Sequence, residues 1–148
     1  MTLKATITEG MKAAMRARET ARLSTIRLLL AAIKQKEVDE RIEVSDADVV
    51  GIVDKMIKQR RESITQFDAG GRPELAAAER AEIEILRSYL PPPLSATEIE
   101  ALIAEAIADA GVSGPAAMGK VMAALKPRLA GRADMALVAD RVKAKLAG

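Results

Sequence analysis

The chain has 148 residues, 49% of them hydrophobic and 30% charged, which is the balance of a folded protein and not of a disordered one. It contains no cysteine, histidine or tryptophan. That excludes disulfides, thiolate metal sites and thiol nucleophiles, and removes the commonest general base and metal ligand. The net charge of +2 conceals a division, since residues 1–36 carry +6, residues 37–113 carry −9 and residues 114–148 carry +5.

Period-3.6 patterns predict seven helices and no period-2 run of useful length, so the expected fold class is all-α. The first helix places Leu3, Ile7, Met11 and Met15 on one face. The second aligns Leu23, Ile26, Leu30 and Ile33, with Leu28 and Leu29 widening the stripe, and Glu19-Thr20 offers an N-cap. The third opens after Ser45-Asp46, lines up Val49, Val53, Met56, Ile57, Ile64 and Phe67, and stops at Gly70-Gly71. The fourth starts near Pro73, a favourable first-turn position, and carries Leu75, Ile83, Leu86 and Leu90.

Pro91-Pro92-Pro93 cannot continue a helix and stiffens the chain into an extended segment. It marks the expected boundary between a four-helix N-terminal unit at 1–90 and a small three-helix unit at 94–148. Ser95-Ala-Thr-Glu98 is a capping box that opens the fifth helix, which carries Ile99, Leu102, Ile103 and Ile107 and ends at Gly111. The sixth carries Met118, Val121, Met122, Leu125 and Leu129, with Pro127 in its last turn and Gly131 closing it. Asp134 caps the seventh, with Met135, Val138, Val142 and Leu146 inside. Three short helices bury little surface, so the second unit is expected to lean on the first or on a partner.

No apolar run is long enough to span a bilayer. The N-terminal residues lack a signal-peptide apolar region, and Glu9 argues against a transit peptide, so the expected compartment is the cytoplasm, with no membrane association.

Gly114-Pro-Ala-Ala-Met-Gly119-Lys120-Val121 fits seven positions of a P-loop, but Val121 stands where a magnesium-holding Ser or Thr is required and no strand precedes it. The segment reads as a helix start, with Gly119 permitting close backbone approach. Lys58, Arg60 and Arg61 place cations on the third helix, most simply as a solvated face. Glu79 and Glu82 share a face of the fourth and can pair with Arg60 or Arg61, or form a carboxylate pair for catalysis. Without His, Cys or a third convergent ligand the structural role is favoured. With only Phe67 and Tyr89 as aromatics, base stacking is an unsuitable mode of nucleic-acid recognition. The basic ends either balance the acidic middle or present a surface to a phosphate backbone. Charge alone favours the first.

Five blocks occur in an order that resembles the YqeY family. They are Arg22-Leu-Ser-Thr-Ile-Arg-Leu-Leu, Lys58-Gln-Arg-Arg-Glu-Ser, Gly71-Arg with Glu79-x-x-Glu82-Ile, Tyr89-Leu-Pro, and Met118-Gly-Lys-Val-Met-x-x-Leu-Lys-Pro with Gly131-Arg-Ala-Asp. The resemblance spans essentially the whole chain. It implies a relation to the C-terminal helical part and tail of GatB, a subunit of the glutamine-dependent amidotransferase that acts on aminoacyl-tRNA. The GatB portion that phosphorylates the acyl carboxylate lies outside the related region, so carbon–nitrogen ligase chemistry is implied by association and not for this chain. No catalytic residue, metal or cofactor is assigned. The resemblance implies a GatB-tail-like C-terminal domain and tRNA-facing residues at Gly119, Lys120, Lys126, Gly131 and Arg132, to which Arg128 is added from the same basic segment. The implied partners are tRNA and an amidotransferase or aminoacyl-tRNA synthetase component. Two alternatives stay open: a helical adaptor in translation, and a stand-alone enzyme using Glu79, Glu82 and Tyr89.

Overall fold

The computed structural model describes residues 1–111 and 113–147; Val112 and Gly148, the last residue of the expected second domain, lie outside the described residues. The chain is all-helical. The described residues form α1 (Leu3–Ala17), α2 (Thr20–Glu40), α3 (Asp46–Ala69), α4 (Pro73–Arg87), α5 (Ala96–Ala110), a 3-10 turn (Pro115–Ala117), α6 (Met118–Leu129) and α7 (Met135–Ala147), with no strand among them. It divides into two compact units, Met1–Leu90 and Pro91–Gly148.

In the first unit, each helix contributes an aliphatic stripe to one core. Ile7 and Ala14 come from α1, Ile26, Leu29 and Ile33 from α2, Val49, Val53, Met56 and Ile57 from α3, and Ile83 and Leu86 from α4. Two details differ from the sequence reading. Met15 is exposed and Ala14 is buried in its place, because Ala14 follows Ile7 by seven residues, about two turns, and so falls on the same buried line while Met15 is turned about 100° away from it. Leu28 points to solvent while Leu29 is fully buried, so the apolar run of α2 is not one broad stripe.

Helix ends are satisfied in different ways. Thr2 Oγ1 accepts from the Ala5 amide at 3.1 Å. Ser45 and Asp48 form a reciprocal box, with the Asp48 amide donating to Ser45 Oγ at 3.1 Å and the Ser45 amide to Asp48 Oδ2 at 2.9 Å. The Asp48 carboxyl is held below its usual range, first by the Ser45 amide. The expected cap at Glu19-Thr20 is absent: Thr20 is the first helical residue of α2, and no side chain bonds the free amides there. Glu37 fastens three segments. It accepts from Lys4 Nζ of α1 at 2.9 Å and from the Val44 amide, which precedes α3, at 3.2 Å. The Lys4 bond comes first in holding its carboxyl below the usual range.

The second unit buries Ile103, Ala106 and Ala110 of α5, Ala117, Val121, Leu125 and Leu129 of the 3-10 turn and α6, and Val138, Val142 and Leu146 of α7. Ser95 and Glu98 form the expected capping box at 3.1 and 3.3 Å. Asp134 Oδ1 accepts from the Ala136 amide at 2.9 Å, as expected of a cap for α7. Gly131 takes a left-handed φ of 73° just past α6, a conformation that a glycine adopts without strain.

Beyond α4, the Tyr89 hydroxyl is buried without a hydrogen-bond partner. It stands against Gly10 of α1, where an added Cβ would collide with it.

Two expectations follow from this packing. Leu29→Ala should cost about 2–5 kcal/mol in chemical denaturation, whereas Leu28→Ala should change stability by less than about 0.5 kcal/mol. Equal losses would contradict the register of α2. Gly10→Ala should destabilise by about 1–3 kcal/mol through overpacking, despite alanine's better helix propensity. Tyr89→Phe should be neutral or stabilising, because it removes an unpaired buried hydroxyl, and should recover much of the loss in the double variant. Ordinary stabilisation by Gly10→Ala would show that the close approach does not exist.

Candidate nucleic-acid interface

The sequence-selected residues surround α6. Gly119 and Lys120 lie in its first turn and Lys126 and Arg128 in its last, with Gly131 and Arg132 just beyond. Gly119 is exposed, and a Cβ built on it would meet nothing within 4 Å. No packing contact therefore requires glycine there, and its backbone is open to an approaching molecule.

The cations have distinct partners. Lys120 Nζ donates to the carbonyl of Ala110, the last residue of α5, at 2.7 Å. It thereby satisfies one of the carbonyls that a helix end leaves free and opposes the negative end of the helix dipole. Arg132 Nε donates to the Pro92 carbonyl at 3.1 Å, and the Leu94 amide returns a bond to the Arg132 carbonyl at 2.9 Å. Together these bonds staple the segment entering α5 to the turn after α6. Arg128 pairs with Glu105 of α5 at 3.4 Å. Lys126 is exposed and makes no ion pair among the described residues. At 100° per residue it is turned about 240° from Lys120 and about 200° from Arg128, so the α6 cations do not form a single stripe.

Elsewhere in this unit Arg141 and Lys145 of α7 both reach Glu100 of α5, at 3.1 and 3.0 Å. The Glu100 carboxyl is held below its usual range, first by Lys145. Much of the basic charge of the tail is therefore matched locally by α5.

The carboxylates considered for catalysis do not converge. Glu82 is bonded to Arg60 Nε across α3 and α4 at 2.7 Å, and Arg60 also donates to the Met56 carbonyl at 3.2 Å. Arg60 retains only 13% side-chain exposure, which makes this a structural fastening. Glu79 has no place in that pair, and the hydroxyl of Tyr89 stands against Gly10. Among the described residues no group of three acidic side chains is arranged to hold a metal ion.

One feature escaped the sequence reading. An open groove of about 580 Å³ runs between α2 and α3, bordered by Lys36, Asp39, Asp48, Gly51, Lys55 and Gln59 among others. Its only sequence signal is the pair of small residues Ala32 and Gly51 on facing helices. Its charges are of both signs, and Lys36 is already paired with Glu40 at 2.7 Å.

Comparison with known proteins adds the following. Residues 4–146 match the family model described as Yqey-like protein. Similar relatives include three proteins named "Altered inheritance of mitochondria protein 41, mitochondrial". The protein from Lachancea thermotolerans is 36% identical over 75% of this chain and 61% of its own length. The one from Eremothecium gossypii is 38% identical over 63% of this chain and 52% of its own length. The one from Kluyveromyces lactis is 34% identical over 75% of this chain and 62% of its own length. The match thus spans roughly half to three fifths of those relatives. Their names correct the expectation of a cytoplasmic protein, since they point to mitochondria. The lack of an N-terminal apolar region speaks only against a secretory leader, and one Glu near an N-terminus does not assign a compartment. Among the described residues, no helix is long and apolar enough to cross a membrane. With nearly every residue from Lys4 to Leu146 matched to one family model, the chain belongs to the YqeY-like protein family.

Proposed function

We propose that this chain is a tRNA-contacting accessory module of the kind associated with glutamine-dependent tRNA amidotransferase, and that it performs no catalysis alone. Its two units serve as separate modules, and the second presents Gly119, Lys120, Lys126, Arg128, Gly131 and Arg132 to the RNA backbone. The observation that carries the reading is the open backbone of Gly119 beside Lys120, on the same helix as the unpaired Lys126. The resemblance of the Met118–Lys126 block to GatB tails supports it.

The internal partners of these cations do not oppose it. The Arg128–Glu105 pair is about half exposed on both sides. Such pairs contribute about 0–1 kcal/mol, so a phosphate can displace the carboxylate. Lys120 keeps its charge while it bonds a neutral carbonyl, and adds an anion contact without losing an ionic partner. An amidotransferase or aminoacyl-tRNA synthetase component is the protein partner that fits this reading. The adaptor alternative is supported by the exposed Leu28 and Leu137, one in each unit. The enzyme alternative has less support, because Glu82 is committed to Arg60.

The test is a titration of tRNA at low and moderate salt with wild type, a Lys120→Ala/Lys126→Ala/Arg132→Ala variant, and Lys126→Ala alone. Each phosphate contact removed should make the salt slope shallower by about one. Lys126→Ala keeps the measurement interpretable, since no internal bond is lost with it. Unchanged affinity in both variants would remove the tail from the interface. No tRNA affinity even at low salt would favour the adaptor reading. Glutamine and ATP provide the catalytic control: the purified chain should consume neither, and turnover abolished by Glu79→Gln would overturn the accessory role.

A further inference from the structure

Between Gly10 and Lys36 there are seven cations and a single carboxylate, Glu19. Two of the seven are neutralised: Lys12 pairs with Glu9 at 3.3 Å and Lys36 with Glu40 at 2.7 Å. Arg22 is half-buried. Arg16, Arg18, Arg27 and Lys34 are exposed and form no ion pair among the described residues. The basic tail is the reverse case, because five of its seven cations reach a partner in their own unit.

The four cations without an ion pair lie on one side by helix geometry, Lys34 also acting through its charge on the Glu37 carboxylate. Glu37 faces α1, since it bonds Lys4. At 100° per residue, Lys34 and Arg27 are turned about 60° and 80° beyond Glu37, on the side away from Leu29 and Ile33. They are seven residues apart, which places them about 10 Å from each other along one line of α2. On α1, Arg16 is turned about 120° from Lys4, again away from the buried Ile7. Lys34 and Arg27 therefore border the α1–α2 seam on its solvent side, Arg16 lies on the adjoining solvent face of α1, and Arg18 occupies the corner between the helices. Arg18 itself holds a left-handed φ of 58° as the C-cap of α1. Glycine serves that turn with less strain, so the turn geometry does not account for a long cationic side chain there.

We propose that the solvent side of the α1–α2 seam, through Arg16, Arg18, Arg27 and Lys34, is a second contact surface for the phosphate backbone of folded RNA. The chemistry of the surface selects the partner. A row of unpaired cations neutralises phosphates and releases their counterions. Neither α1 nor α2 carries an aromatic residue, so this surface offers no ring platform for stacking successive bases. A double-helical backbone fits better than a single strand. Membrane insertion needs large apolar side chains among the cations. Here the residues in line with Arg27 and Lys34 on α2 are Thr20, Ala31 and the exposed Val38, and Met15, next to Arg16 in the chain, is exposed on α1; with Leu28 turned about 100° from Arg27, these are scattered apolar side chains and not a continuous stripe. The choice of RNA over other polyanions rests on the function proposed above; the location of the surface does not.

The experiment uses the full chain with bulk tRNA across a salt series. One variant carries Arg16→Ala, Arg27→Ala and Lys34→Ala; a milder one carries Arg27→Gln and Lys34→Gln. A control removes equal charge from exposed α3 positions, with Lys55→Ala, Lys58→Ala and Arg61→Ala. The tail variant above is measured in parallel. The seam triple variant should lose affinity by on the order of tenfold or more at low salt, with a slope shallower by about two to three. The milder variant should lose about two of slope, with helicity unchanged by circular dichroism, and the α3 control should lose much less. Equal losses in the seam and α3 variants overturn the proposal, since net charge alone would then explain them. Tighter binding to phosphatidylserine vesicles than to tRNA also overturns it, in favour of a lipid surface. Loss in the tail variant with none in the seam variants sinks this surface and leaves the proposed function standing. Loss in the seam variants alone moves the RNA contact to the first unit. Absence of tRNA affinity in wild type removes both.

Discussion

The structure depends on one constraint: its interiors are built almost entirely from apolar side chains without rings, on helices that each offer only a narrow stripe. Isoleucine, leucine, valine, methionine and alanine supply every buried hydrophobic position of both cores. Such side chains bring no polar atom inside that needs a partner. Side-chain hydrogen bonds and ion pairs are therefore pushed to helix ends and to the rims of the cores, where they decide register and connection. Thr25 and Tyr89 are the exceptions among the described residues: the buried Thr25 hydroxyl donates to the Ala21 carbonyl at 3.2 Å, whereas the Tyr89 hydroxyl has no partner and sits where the neighbouring helix has a glycine to make room.

The consequence is a division of labour among the charged groups. Some act as fasteners. Glu37 joins α1, α2 and the approach to α3; Arg60 and Glu82 join α3 and α4; Glu100 receives two cations from α7. Lys120 and Arg132 do the same through backbone carbonyls. Arg80 and Asp68 join α4 and α3, and Arg128 and Glu105 join α6 and α5; others, such as Arg16, Arg27 and Lys34, form no ion pair among the described residues. The two basic ends have similar net charge but differ in how that charge is used. In the tail much of it is matched by carboxylates of α5, and along the α1–α2 seam much of it is not. Net charge by segment, which is what a sequence supplies, cannot separate these cases.

The helices were legible because their stripes repeat every three to four residues, and because Gly70-Gly71, Pro73, Ser95 and Gly131 punctuate them with residues of narrow backbone preference. The errors have local physical causes. Met15 and Leu28 are hydrophobic enough to be placed inside, but burial is set by which neighbour covers that arc, and periodicity does not contain the neighbour. The box at Ser45 went unread because its partner is Asp48 and not the Glu or Gln of the usual pattern. Thr20 has the chemistry of a cap, yet α2 begins at Thr20 itself, so the side chain falls inside the helix. The partners of Lys120 and Arg132 lie 10 and 40 residues away, a separation at which no short motif carries information.

The candidate site shows the same limit from the other direction. A resemblance carries residue types from one chain to another, but not the environment that fixes what each does. Lys120 in the first turn of α6 is compatible with a phosphate contact and with closing the end of α5, and in this structure it performs the second. The two roles do not compete, because a lysine bonded to a neutral carbonyl keeps its charge and two further donors. Arg132 is likewise bonded to a neutral oxygen, although, after the Ser95 hydrogen bonds, its charge also helps hold the nearby Glu98 carboxyl below its usual range. What distinguishes a surface prepared for a polyanion is therefore whether carboxylates already neutralise its cations, not whether those cations are bonded. By that criterion Arg128 is the most compromised of the candidate site residues, Lys120, Lys126 and Arg132 form no ion pair among the described residues, and the α1–α2 seam keeps more of its charge than the tail does.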